Sequence, residues 1–108
     1  MNKKLEPFSN TKVTPGFIKG FINDDLVFEL ICEYVGRDKD WYGIIHDDTK
    51  ADEADPVALL SEAIYEEDSE IIEVCDEEEG LQALVYDCEG DKVAFLMKKG
   101  FTVAFWSK

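Results

Sequence analysis

The chain has 108 residues, 45% of them hydrophobic and 33% charged, and carries a formal net charge of −14 at pH 7. That length suits one domain able to bury about two-thirds of the surface its unfolded chain exposes, and seven Phe, four Tyr and two Trp exclude a disordered polyanion. Direct binding of nucleic acid is excluded as well, because a phosphate backbone demands a basic footprint, and no apolar run approaches the roughly 18 residues that span a bilayer.

In chain order, the first 14 residues show no clear period and are expected to form an arm or a short strand. Pro7, Pro15, Gly16 and Gly20 are read as breaking any early helix. Between Asp25 and Val35 the apolar residues Leu26, Val27, Leu30, Ile31, Tyr34 and Val35 form a stripe with Asp25, Glu29 and Glu33 opposite, which predicts a helix. Asn23 or Asp24 would cap its start and Gly36 its end; the β-branched and aromatic residues there leave a strand as the alternative. Trp41 to Ile45 reads as a short strand. Asp55 before Pro56 places a capping carboxylate and a proline at the head of a second helix, with Val57, Leu60, Ala63 and Ile64 toward the core.

The runs Ile71–Cys75, Leu81–Cys88, Lys92–Met97 and Phe101–Trp106 are separated by short Gly-containing turns, the pattern of an antiparallel meander. The expected fold is a single α+β domain, with a meander of about four to five strands packed against one or two helices. Cys32, Cys75 and Cys88 are widely spaced and odd in number, so they are expected as buried thiols rather than as a disulfide framework or metal pair. Lys3 and Lys4 are followed by Glu6 and Pro7 before any apolar stretch forms, so no export signal is expected, and the cytoplasm is the expected compartment.

The 25 acids and 11 bases are unevenly distributed. Fifteen acids and one base, Lys50, lie between Asp47 and Glu79, so this segment alone has the charge of the whole chain, and the remainder holds ten of each sign. A chain acidified only for solubility, or adapted throughout to high salt, would not divide this sharply. Asp47, Asp48, Asp52, Glu53 and Asp55 precede the second helix and suit the positive end of its dipole. Glu66, Glu67 and Asp68 follow it and oppose the negative end, at about 0.3–1 kcal/mol per exposed charge. Asp76, Glu77, Glu78 and Glu79 fill the next turn. Like charges about 7 Å apart in water also repel by roughly 0.6 kcal/mol, so the cluster persists against a penalty and points to a partner.

The expected partner is a basic protein, a toxin or nuclease domain whose substrate groove an acidic face would fit and whose encounter with that face would be accelerated. Charge alone seldom gives tight binding, so an aromatic anchor is expected among the acids. Tyr65, between Glu62 and Glu66 and on the side of the helix away from Leu60 and Ile64, is the candidate. Trp41 and Tyr42 are further aromatics that suit the core equally well.

Other chemistry has less support. Asp38-Lys39-Asp40-Trp41-Tyr42-Gly43 begins like a calcium loop, but Thr49 stands where the closing Glu is required. His46 is the one histidine and is read as a strand-end residue; neither a Ser-His-Asp arrangement nor a phosphate-cradling glycine loop accompanies it. Asp48-Thr49-Lys50 leaves a metal-dependent phosphodiester hydrolase as a minor alternative. No catalytic residue, metal or cofactor is expected.

In class, this combination of size, acidity and reduced thiols is similar to the immunity proteins of bacterial toxin systems and to phage-encoded nucleic-acid mimics, with no signature aligned residue by residue. The first resemblance implies an inhibitor of one basic toxin. The second, kept as the alternative, implies a mimic that inhibits a host-defence or DNA-binding protein. An exposed sheet edge pairing with a partner strand is a further inhibitory geometry, for which the final strand, ending at Trp106, is the candidate.

Overall fold

In the computed structural model, which describes residues 3–49, 55–64, 71–88 and 90–107, and only the backbone of 71–76, a 3-10 turn at Glu6–Phe8 leads into the regular elements. These are β1 (Thr11–Val13), α1 (Pro15–Ile22), α2 (Asp25–Val35), β2 (Trp41–Asp47), α3 (Pro56–Ile64), β3 (Ile71–Asp76), β4 (Leu81–Cys88), β5 (Asp91–Lys98) and β6 (Phe101–Ser107). All six strands join one antiparallel sheet in the order β1-β2-β6-β5-β4-β3. The last four are the expected meander. Lys99 and Gly100 both adopt positive φ, 51° and 82°, which matches the twist of a two-residue hairpin between β5 and β6.

The final strand is not an edge. β6 lies between β5 and β2, because β2, from the middle of the chain, returns to cover it. Seven registered pairs, from Trp41↔Ser107 to Asp47↔Phe101, fix that central contact.

Helices cover both faces of the sheet. Ile18 and Ile22 of α1 and Val27, Phe28, Ile31, Cys32 and Val35 of α2 pack with Trp41, Leu81, Ala83, Val85, Ala94, Leu96, Val103 and Phe105 on one side. On the other, Leu60 and Ile64 of α3 and Leu5 of the N-terminal arm meet Ile44, Tyr86, Cys88, Val93, Phe95, Ala104 and Trp106. The alternation along each strand, 103 and 105 to one core and 104 and 106 to the other, follows from the two-residue period of a strand buried on both sides. Cys32 and Cys88 are buried free thiols, while the side chain of Cys75 lies outside the described residues.

The expectation that prolines and glycines break an early helix is corrected by α1. Thr14 Oγ1 accepts the Phe17 N–H at 3.2 Å, and Pro15 occupies the first turn, where a missing N–H costs nothing. Gly16 and Gly20 face open space, and Asn23, at φ 52°, closes the helix in the left-handed region.

The second helix has the expected bounds, and Asp24 is its cap, with Oδ1 accepting from Leu26 and Val27 at 3.0 and 3.1 Å. Its buried stripe is rotated from the expected one, however. Phe28 and Cys32 are buried while Leu26 is 85% exposed, because α2 packs on α1 as well as on the sheet and its contact face is set by both.

The two tryptophans differ in one hydrogen bond. Trp41 Nε1 donates to Gly36 O at 2.8 Å, whereas Trp106 Nε1 is buried with no partner among the described residues. An unmet buried donor costs about 1–3 kcal/mol, and removing one partner of a satisfied pair incurs that cost anew. Trp41→Phe is therefore expected to lower stability by at least 1 kcal/mol more than Trp106→Phe, read from urea midpoints. Equal losses would contradict this difference in satisfaction.

Candidate functional site

The acidic segment is placed by sheet register. Asp47 is opposite Phe101, Phe101 opposite Lys98, Lys98 opposite Leu81, and Leu81 opposite Asp76. One row thus runs across the sheet and brings Asp47 and Asp48 to the same end as Asp76, Glu77, Glu78 and Glu79. Four strand spacings, about 19 Å, separate the two groups, and the β5–β6 turn with Lys98 and Lys99 lies between them. The arrangement is two acidic lobes flanking a basic turn.

Several of these carboxylates hold the fold together. Asp47 Oδ1 accepts from the Thr49 N–H at 3.0 Å and the Thr49 hydroxyl at 2.6 Å. The Asp48 N–H donates to Gly100 O at 2.7 Å, and its Oδ2 accepts from the Thr102 hydroxyl at 2.6 Å. Asp55 caps α3 as expected, Oδ1 accepting from Val57 and Ala58 at 2.9 and 3.3 Å. His46, whose side chain is only 11% exposed, is more than a strand-end residue: its Nε2 lies 3.9 Å from Asp48 Oδ1 and 3.7 Å from Asp55 Oδ1, so it sits between carboxylates that bracket residues 49–54.

In the other lobe Glu77 and Glu78 are exposed and Glu79 is half-buried. Glu79 Oε2 accepts from Lys98 Nζ at 3.2 Å. Lys98 also donates to Phe21 O and Ile22 O at 3.1 and 3.4 Å, so one buried ammonium joins the end of α1 to the β3–β4 turn. Nothing in the sequence marked Lys98 for this role.

Glu62 is exposed on α3. Asp52, Glu53, Tyr65, Glu66, Glu67 and Asp68 lie outside the described residues, as does the side chain of Asp76. Trp41 is core, 1% exposed, and 5.1 Å from the ring of Phe105, which removes it as a contact aromatic; Tyr42 is half-buried.

Glu79 and Asp87 are among the carboxyls shifted by their partners. Hydrogen bonds from Asn23 and Lys98 hold Glu79 below the usual carboxylate range. The Lys92 ammonium, 2.8 Å from Asp87 Oδ2, and the Gly90 N–H, 2.8 Å from its Oδ1, do the same for Asp87. A lowered folded-state pKa gives stability that is complete above the ordinary carboxylate pKa of about 4 and is lost as pH falls through the lowered value. The urea midpoint is therefore expected to fall on acidification below about pH 4. Glu79→Gln should shrink that acid-dependent loss, and an unchanged acid limb in the variant would show that Glu79 contributes nothing to it.

Among the described residues no group of three His, Cys, Asp or Glu is placed to hold a metal ion, and no helix is long and apolar enough to cross a membrane. These features define an acidic α+β domain with an antiparallel sheet covered on both faces. Comparison with protein-family models, with curated proteins and with solved structures finds no match.

Proposed function

We propose that the chain is a non-catalytic inhibitor of the immunity or antitoxin type, acting in the cytoplasm, which binds a basic toxin, a nuclease domain, and blocks its substrate groove. The observation that carries this reading is the register row that sets Asp47 and Asp48 at the same end of the sheet as the exposed Glu77 and Glu78. The fold-holding roles of Asp47, Asp48, Asp55 and Glu79 account for part of the acidity. Glu62, Glu77 and Glu78 are exposed, and their charge is available for steering and register.

The test uses immobilised chain to capture proteins from host lysate at about 0.05 M salt, followed by purification of the captured protein and assay of its nuclease activity. A basic nuclease inhibited in stoichiometric ratio is expected, with association slowing at least about tenfold between roughly 0.05 and 0.5 M salt. Charge reversal at both Glu77→Lys and Glu78→Lys should slow association by a similar factor while leaving the melting temperature within about 2 °C, as surface changes do. Capture of a DNA-binding protein without nuclease activity would favour the nucleic-acid-mimic alternative, and a salt-independent rate would overturn both.

A further inference from the structure

The edge of the sheet beside β1 stops short. β1 covers β2 only from Trp41 to Gly43, whereas β2 continues to Asp47. Backbone direction alternates along a strand, and the Asp48 N–H donates to Gly100 O on the β6 side. Asp48, His46 and Ile44 therefore turn their backbone groups toward β6, while Gly43 and Ile45 turn theirs toward β1. Gly43 meets Thr11. The residue that would meet Ile45 in the same register is Ser9, and its N–H is committed to Glu6 O at 3.2 Å within the 3-10 turn. Two residues further back stands Pro7, which has no N–H. The chain has turned away, and no backbone hydrogen bond to Ile45 from across this edge occurs among the described residues.

At this interruption lies a cleft of about 340 Å³ lined by Pro7, Phe8, Thr11, Ile44, Ile45 and Pro56, among others. Ile45 is 47% exposed. Asp48 follows along β2, and Asp55, the residue before Pro56, lies 3.7 Å from His46 of the same strand, so carboxylates stand beyond one end of a cleft whose lining mixes apolar side chains with Asn10 and Thr11. We infer that this edge of β2 is a docking site for an extended segment of a partner protein, which continues the line of β1, pairs with the backbone of Ile45, places apolar residues against Phe8 and Pro56 and sets a Lys or Arg beside the acids.

Main-chain pairing would supply affinity and the alternating pockets selectivity, as in other strand-addition complexes. The inference goes beyond the inhibitor reading and stands without it, since a basic extended segment from any partner meets the same geometry.

The test is an amide NMR titration of the full chain with a capped peptide of alternating Lys and Val, seven residues long, alongside the same peptide N-methylated along one edge and a peptide with Glu in place of Lys. The Ile45 amide is expected to shift on binding and to gain at least about tenfold protection from exchange, with smaller shifts at Thr11 and Gly43. The N-methylated and Glu peptides should fail to produce this. Ile45→Pro removes the N–H from an edge where proline is tolerated, and should weaken peptide binding at least tenfold, about 1.4 kcal/mol, at an unchanged melting temperature. If that variant fails to fold, the N-methylated peptide still decides. An unmoved Ile45 amide, equal binding of the N-methylated peptide, or concentration-dependent self-pairing of the chain at this edge would each overturn the inference.

Discussion

Replacing Gly43 with alanine is expected to abolish folding or to destabilise the domain by about 3 kcal/mol or more, at the upper end of what overpacking costs. Gly43 is buried in β2 between β1 and β6. A Cβ there would fall against the carbonyl of Ala104 and only 2.8 Å from Phe105 Cα, and these are backbone atoms of the central strand that cannot turn aside as a side chain could. The strand would have to move, and with it seven registered pairs. The same substitution at Gly20, on the outer side of α1 with no atom within 4 Å of the new Cβ, removes only the entropic cost of a helical glycine. It should raise stability by about 0.5–1 kcal/mol. Circular dichroism and urea melts of the two variants check both signs, and a well-folded Gly43→Ala of ordinary stability would contradict the packing of β2 on β6.

The second large effect is expected at Lys98. Its side chain is 8% exposed, and its ammonium bonds two α1 carbonyls and Glu79. Lys98→Met preserves most of the buried stem but leaves those carbonyls without their donor, a loss of about 2–3 kcal/mol at the level of charged hydrogen bonds. Lys99→Met, next to it but exposed, should change stability by no more than about 0.5 kcal/mol. Glu79→Gln keeps an acceptor for the ammonium and should fall between the two. Comparable urea midpoints for the Lys98 and Lys99 variants would show that the link between α1 and the β3–β4 turn is not made in solution.

The contrast between these neighbouring lysines shows which parts of the molecule the sequence reveals. Local pattern was sufficient for the meander, because strands with Gly-containing turns leave few ways to pair, and for α2 and α3, where Asp24 and Asp55 cap residues in a helical stripe. It failed at α1, where Pro15, Gly16 and Gly20 lower helix propensity and a capping Thr14 with two buried isoleucines overrides them. Strand order was not legible either: the central place of β6 depends on β2 crossing to it, a pairing between residues some sixty positions apart.

Of the candidate site, the charge partition was visible as composition, but the commitment of individual acids was not. The roles of Asp48 on Thr102, of Asp55 beside His46 and of Glu79 on Lys98 join residues 54, 9 and 19 positions apart that folding brings together. Asp55 was the exception, because a helix cap is a local interaction with a local signature. Sequence therefore located the acidity, whereas register divided it into carboxylates that stabilise the fold and carboxylates exposed at one end of the sheet.

That division is tested most directly by the association rate of the captured basic partner with the wild-type chain and with the Glu77→Lys, Glu78→Lys variant, measured across a salt series. A rate that falls steeply with salt for the wild type, and is lower and much flatter for the variant at unchanged melting temperature, is the predicted result. Superimposable curves for the two proteins would contradict it.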